Sequence, residues 1–253
     1  SKGGSMGCGL GAVQRLMDGF DIHSRSENNG SGDNGREAAG TIVTVHKWLV
    51  RRKDSRPFIC SGYSRPFPGH NANGDSYFIS DENDDLLVAV ADGLGHGPDA
   101  EAASKEAIEY IRNNRRKELD RIFPEIHEKL RKTRGAALTV VHLSCLDRSL
   151  AHTGIGNIEI RMFPRDHSMP VPQAGVLGVG TLPRIKVATF PFPKNGTLVM
   201  FSDGVSGRWD LDEKPELLRL HTTTLSHLLI RDYARPNNDA TVVTVKEATN
   251  NTI

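Results

Sequence analysis

The most constraining stretch of the chain runs over residues 84–103, DDLLVAVADGLGHGPDAEAA. Its apolar run, 86–91, stops abruptly at Asp92, and a glycine-studded turn then leads through Pro98 into an alanine-rich segment. A short apolar run bounded by turn residues reads as a buried strand, so Asp92 is expected to project from the strand's end, where ligands gather. Gly93, Gly95 and Gly97 allow a close backbone approach or a positive φ. Pro98 suits the first turn of a helix, with Ala100, Ala103, Ala107, Ile108 and Ile111 as its apolar face. A lone Asp-Gly pair is more often a structural turn than a ligand, so the reading rests on what the rest of the chain supplies.

Bulk properties narrow the choices. The 253 residues carry a net charge of +1, which offers no argument for nucleic acid or an anionic membrane surface as a partner. No apolar run approaches the ~20 residues of a transmembrane helix, and the opening SKGGSMGCGL lacks the pattern of a secretory signal. A cytoplasmic protein is expected. Cys8, Cys60 and Cys145 are odd in number and fit no metal-type spacing, so they read as ordinary thiols rather than a disulfide framework or a zinc site.

The coarse organisation divides near residue 50. Leu10, Val13, Leu16 and Met17 follow a glycine-rich opening at helical spacing, and strands are expected over 20–24 and 41–49, joined by a polar loop over 25–40. A basic stretch at 50–56 (VRRKDSR) reads as a linker. Beyond it, strands are expected over 59–65, 75–79 and 86–91, then helices from Pro98 and over 119–131. Further strands follow over 136–146, 150–155, 158–163, 185–190 and 197–201, with Gly156-Asn157 as a turn, then a helix over 223–233 and a closing strand over 240–245. Two helices inserted among antiparallel strands predict a layered α+β domain rather than a βαβ repeat.

The strand ends carry the chemistry. A hairpin joining 75–79 to 86–91 in matched register would set Asp75 beside Asp92. The stretch TLVMFSDGVS repeats the same logic, delivering Asp203 and Gly204 at the end of an apolar strand, and PNNDATVVT places Asp239 just before the last strand. Clustered carboxylates raise one another's pKa unless a cation neutralises them. Oxygen-only ligands favour Mg²⁺ or Mn²⁺ over zinc, and a two-ion centre activating a water against a phosphoester follows from that donor set. The carbonyl of Gly93 is free to add a ligand.

Two resemblances sharpen this reading. GDSYF, VAVADGLGHG, MFSDG and NDATVV, in this order, resemble the metal-dependent Ser/Thr protein phosphatases, the PPM family, in its bacterial SpoIIE and RsbX branch. The resemblance covers residues 58 to about 246. It implies a four-layer α-β-β-α sandwich, two Mn²⁺ or Mg²⁺ ions, and hydrolysis of phosphoserine or phosphothreonine on a protein. By position, Asp92 would bridge both ions and Gly93 would offer its carbonyl. Asp203 and Asp239 would hold one ion, and Asp75 would act directly or through water. Arg65 is the positional candidate for gripping phosphate, and His96 for proton donation or polar support. Asn238 stands where many relatives have a second Asp, which weakens any ion relying on that carboxylate. Separately, MGCGLGAVQRLMDGFDIHS followed by GTIVTVHKWL resembles the C-terminal end of a GHKL-type ATPase domain of the anti-sigma-factor kinase sort, without that family's Asn helix or Asp-x-Gly-x-Gly box.

The expectation is therefore a partial ATPase segment over 1–50 that binds no ATP by itself, a linker over 51–57, a phosphatase domain over 58–248 and a tail over 249–253. The resemblance implies a STAS-type antagonist protein as phosphorylated substrate, and a homodimer is left open. The competing readings are a non-catalytic partner-switching module and part of a kinase–phosphatase pair whose ATP-binding front half is absent.

Overall fold

The structure, a computed structural model, describes residues 8–26, 39–47, 57–82, 85–165 and 169–248. Residues 51–56 of the expected linker over 51–57, most of the loop over 25–40 and the tail over 249–253 lie outside the described residues.

Two antiparallel sheets stack to form the centre. After α1 (Cys8–Leu16) and the hairpin β1 (Gly19–Arg25) and β2 (Gly40–His46), the chain forms β3 (Phe58–Arg65), β4 (Asp75–Glu82) and β5 (Asp85–Gly93). Helices α2 (Pro98–Asn113) and α3 (Leu119–Leu130) follow, then β6 (Ala136–Ser144), β7 (Ser149–Ile155), β8 (Glu159–Phe163), β9 (Ala188–Pro191) and β10 (Thr197–Phe201). Helix α4 (Thr222–Tyr233) and β11 (Ala240–Glu247) close the fold. One sheet has the order β4-β5-β6-β7-β9 and the other β3-β11-β10-β8.

The strand β5 shows how sequence makes the layers. Its alternating Val-Ala pattern has two buried faces, because Leu86, Val88 and Val90 point between the sheets while Leu87, Ala89 and Ala91 point toward α2 and α3. Small residues face small residues on the helix side, where Ala103 and Ala107 of α2 meet Ala89 and Ala91, so helix and sheet approach closely. Between the sheets, Val141 and Leu143 of β6 meet Leu198 and Met200 of β10 and Val243 and Val245 of β11. On the far side Leu225, Leu228 and Leu229 of α4 cover Val199, Phe201 and Val242. The result is the expected α-β-β-α sandwich.

The expected strand at 185–190 shifts to the four residues of β9. Leu182 and Ile185 are apolar because they pack against the α2–α3 core, not because they belong to a ladder. Elsewhere the ends move by one to three residues, the most at the ends of β2 and β4. Among the described residues no helix is long and apolar enough to cross a membrane.

The hairpin β1–β2 docks on α4 through its polar face. Arg25 pairs with Asp232 at 2.9 Å, Thr224 Oγ1 donates to Thr44 Oγ1 at 2.7 Å, and Asp21 accepts from the His221 backbone N–H at 3.0 Å. His221 Nδ1 accepts from the Thr223 N–H as the helix N-cap, so His46 Nε2 is the donor in the 3.1 Å contact between the two rings. The opposite face of the hairpin leaves Ile22, Val43 and Val45 at least 40 % exposed.

Candidate active site at the ends of the two sheets

Each sheet contributes two acids. Asp75 opens β4 and Asp92 lies one residue from the end of β5, and the two are register partners. In the other sheet β10 ends at Phe201, so Asp203 follows two residues later, and Asp239 immediately precedes β11. Two glycines let these ends close up. A Cβ on Gly93 would lie 1.9 Å from the Ala100 carbonyl oxygen, so the first turn of α2 is seated directly on the turn after Asp92. A Cβ on Gly204 would lie 1.6 Å from the Asp239 carbonyl oxygen, which presses the two acidic turns of the second sheet together.

The hydrogen bonds to these acids come from neutral groups. Ser202 Oγ donates to Asp75 Oδ2 at 2.6 Å, a bond that crosses from one sheet to the other. Asn157 Nδ2 donates to Asp203 Oδ2 at 2.8 Å and to Asp92 Oδ2 at 3.3 Å, and Asn238 Nδ2 donates to Asp203 Oδ1 at 2.7 Å. Asp239 Oδ1 accepts from the Phe67 backbone N–H at 2.8 Å, while its buried Oδ2 has no partner. Burial pushes the Asp75 carboxyl up to about 7, aided by the charges of Asp239 and Asp203 and opposed by hydrogen bonds from Ser202 and Thr241. Burial likewise lifts Asp92 to about 8, with Asp75 and Asp203 adding to the rise and Asn157 opposing it.

The remaining candidates sit at the rim. Arg65 donates from Nη2 to the Arg235 carbonyl at 2.7 Å and from Nη1 to the Pro66 carbonyl at 3.4 Å, which ties the β3 end to the loop after α4. His96 packs its ring against Phe67 and His70, with centroids 5.4 and 5.5 Å apart. Sequence reasoning read Asn157 only as a turn residue and passed over Ser202. A turn between two strands carries no signal of its long-range partners, so neither amide nor hydroxyl could be tied to an acid 46 or 127 residues away.

A model of the Stage II sporulation protein E (SpoIIE) family matches residues 82–246, more than half of the chain. This chain belongs to the SpoIIE family. It is 26 % identical over 140 residues to the phosphoserine phosphatase RsbX of Bacillus subtilis (strain 168), covering 54 % of this chain and 70 % of that relative. A structure of RsbX in complex with magnesium superposes with a TM-score of 0.68 at 20 % identity, covering 79 % of this chain and 100 % of that one. A structure reported under the words "The bacterial stressosome: a modular system that has been adapted to control secondary messenger signaling" superposes with a TM-score of 0.70 at 26 % identity, covering 75 % of this chain and 99 % of the other.

The SpoIIE-family site fits hard divalent cations. Its donors are oxygens, among the described residues no cationic side chain hydrogen-bonds to the four acids, and Asp239 Oδ2 is a buried acceptor with no hydrogen-bond partner. Among the described residues no three His, Cys, Asp or Glu side chains converge on one point. Mg²⁺ and Mn²⁺ suit such a sparse set, because they keep several waters and take one or two carboxylates each.

Proposed function

We propose that this chain hydrolyses phosphoserine or phosphothreonine esters on a regulatory protein, with Asp75, Asp92, Asp203, Asp239 and the Gly93 carbonyl holding two Mn²⁺ or Mg²⁺ ions. The observation that carries the reading is that two acids from each sheet lie at one end of the fold, within electrostatic reach of one another, and take their hydrogen bonds from neutral donors. When bound, the two ions supply an activated water nucleophile and neutralise charge on the phosphoryl oxygens.

The chain's own residues prepare that chemistry. Asp75 is fixed by Ser202, which is itself held by the Thr241 N–H at 3.0 Å, so its carboxylate cannot rotate freely. Asp92 stands at the rigid end of a strand buried on both faces and would be one of the residues that hold the ions. Arg65 ties the rim through the Arg235 and Pro66 carbonyls, and His96, packed on Phe67 whose N–H holds Asp239, would be the candidate proton donor to a departing serine oxygen. RsbX is named a phosphoserine phosphatase, and a stressosome structure shares the fold, which supports a phosphorylated partner-switching protein of the STAS type as the substrate and a cytoplasmic setting. Residues 58–248 form the phosphatase domain in this reading, and 1–50 the partial ATPase segment, whose described hairpin β1–β2 docks on α4.

The test is phosphate release from a phosphoseryl protein and from p-nitrophenyl phosphate, with Mn²⁺ and with chelator. Hydrolysis that needs Mn²⁺ and disappears in Asp92→Ala and Asp203→Ala is expected. Equal rates in chelator, or unchanged rates in both variants, would overturn the assignment.

A further inference from the structure

We propose that Asn157 is a positioning residue, a neutral brace whose side-chain amide fixes Asp92 against Asp203 across the two sheets and so sets how tightly the site takes divalent cations. The inference rests on the metal reading above for its cation half and on geometry alone for its bracing half.

Asn157 occupies the turn between β7 and β8, the point at which the chain crosses from the five-stranded to the four-stranded sheet. The turn is pinned by the hydrogen bond from the Gly156 N–H to the Gln173 carbonyl at 2.8 Å. A side-chain amide has two N–H groups, and here they go to carboxylates of different sheets, at 2.8 Å to Asp203 and 3.3 Å to Asp92. One side chain therefore fixes a distance that no strand ladder fixes, because Asp92 belongs to the β4–β5 ladder while Asp203 follows the end of β10 in the other sheet.

Charge explains why this brace is an amide. A lysine or arginine here would neutralise the acids and compete with an ion, and an aspartate would add repulsion 2.8 Å from Asp203. Asparagine holds both carboxylates while leaving their charge for the ions to neutralise. Second-layer groups that orient metal ligands typically change affinity about ten- to hundredfold when lost.

The bracing role and a merely structural turn role separate in two measurements on the full chain, Mn²⁺ affinity by calorimetry and thermal unfolding in chelator. Asn157→Ala is expected to bind Mn²⁺ at least about tenfold more weakly than the parent. Asn157→Asp is expected to melt below both the parent and Asn157→Ala in chelator, yet to bind Mn²⁺ more tightly than the parent, an opposite sign that loss of a turn residue cannot produce. Parent-like Mn²⁺ affinity in Asn157→Ala, or parent-like melting of Asn157→Asp in chelator, would overturn the inference. If the parent chain binds no Mn²⁺, the metal reading fails, and the order of melting temperatures in chelator still decides whether Asn157 braces the two acids.

Discussion

Asp75 and Asp92 stand directly opposite each other as register partners in the β4–β5 ladder. Like charges placed opposite across a ladder are destabilising, and the ladder around them, from Ser76↔Ala91 through Ser80↔Leu87, is neutral. The pair contributes nothing that the sheet needs in order to form, and the sheet carries it as a cost.

Removing one charge should therefore separate stability from activity. Asp92→Asn keeps the shape and is expected to raise the melting temperature in chelator at pH 8 and above, because a buried, repelled carboxylate no longer ionises. In the same variant Mn²⁺-dependent phosphate release falls at least about a hundredfold. Thermal unfolding and a phosphatase assay on one preparation check both halves.

Binding of cations should release protons. Asp75 at about 7 and Asp92 at about 8 hold protons near neutral pH, and an ion must displace them. Mn²⁺ affinity is expected to rise with pH through this window and to level off above it. Calorimetry in two buffers of different ionisation enthalpy measures the released protons directly, and an identical heat in both would contradict the shifted values.

The two close-packed glycines set a steric test. Gly93→Ala and Gly204→Ala each force a Cβ to within 2 Å of a backbone oxygen, which no side-chain rotation relieves. Both are expected to abolish soluble, folded protein or to lower its melting temperature sharply. Gly9 in α1 has open space around its Cβ position, so Gly9→Ala is expected to be neutral or to stabilise by roughly 0.5–1 kcal/mol through helix propensity. Circular dichroism melts of the three variants make the comparison.

Acid should weaken the fold through His152. This side chain is 3 % exposed between the sheets, its Nε2 has no partner, and burial pulls its pKa down from 6.5 to about 4. Between those values the unfolded chain takes up a proton that the folded chain refuses, so stability present above pH 6.5 is lost as pH falls toward 4, by at most roughly 3 kcal/mol. His152→Leu removes the unpaired nitrogen, and urea unfolding at pH 7 and pH 5 is expected to show a smaller loss in the variant than in the parent.

The docked hairpin makes a further claim on stability. Deleting residues 1–56 exposes Thr224 and His221 and strips Arg25 from Asp232, whose side chain is fully buried. The shortened chain is expected to melt below the full chain. Equal melting temperatures would mean that the hairpin adds nothing to the domain.

Much of this architecture was legible in residue order. Alternation and turn residues located β10 to the residue and the other strands of the sandwich except β9 nearly so, and the expected β4–β5 hairpin register set Asp75 opposite Asp92 as the ladder does. The four acids were legible because each borders an apolar strand, Asp92 and Asp203 at the end of one and Asp75 and Asp239 at the start. The brace from Asn157 and the hydroxyl of Ser202 were not, because hydrogen bonds between distant turns leave no periodic trace. The seating of the hairpin on α4 escaped for a related reason. It is made by Thr44, His46, Arg25 and Asp21, polar residues that a pattern search assigns to solvent.

The division of the four acids, two on each sheet, has a consequence for how any melting temperature of this protein is to be understood. Ions shared between the sheets would be lost when the sheets part, so the free energy of unfolding would contain the ions' chemical potential. The melting point is then no fixed property of the sequence but one coordinate on a curve drawn against free Mn²⁺ or Mg²⁺. A hundredfold excess of ion over its dissociation constant stabilises the folded state by about 2.7 kcal/mol. Two laboratories with different traces of chelator would report two different proteins.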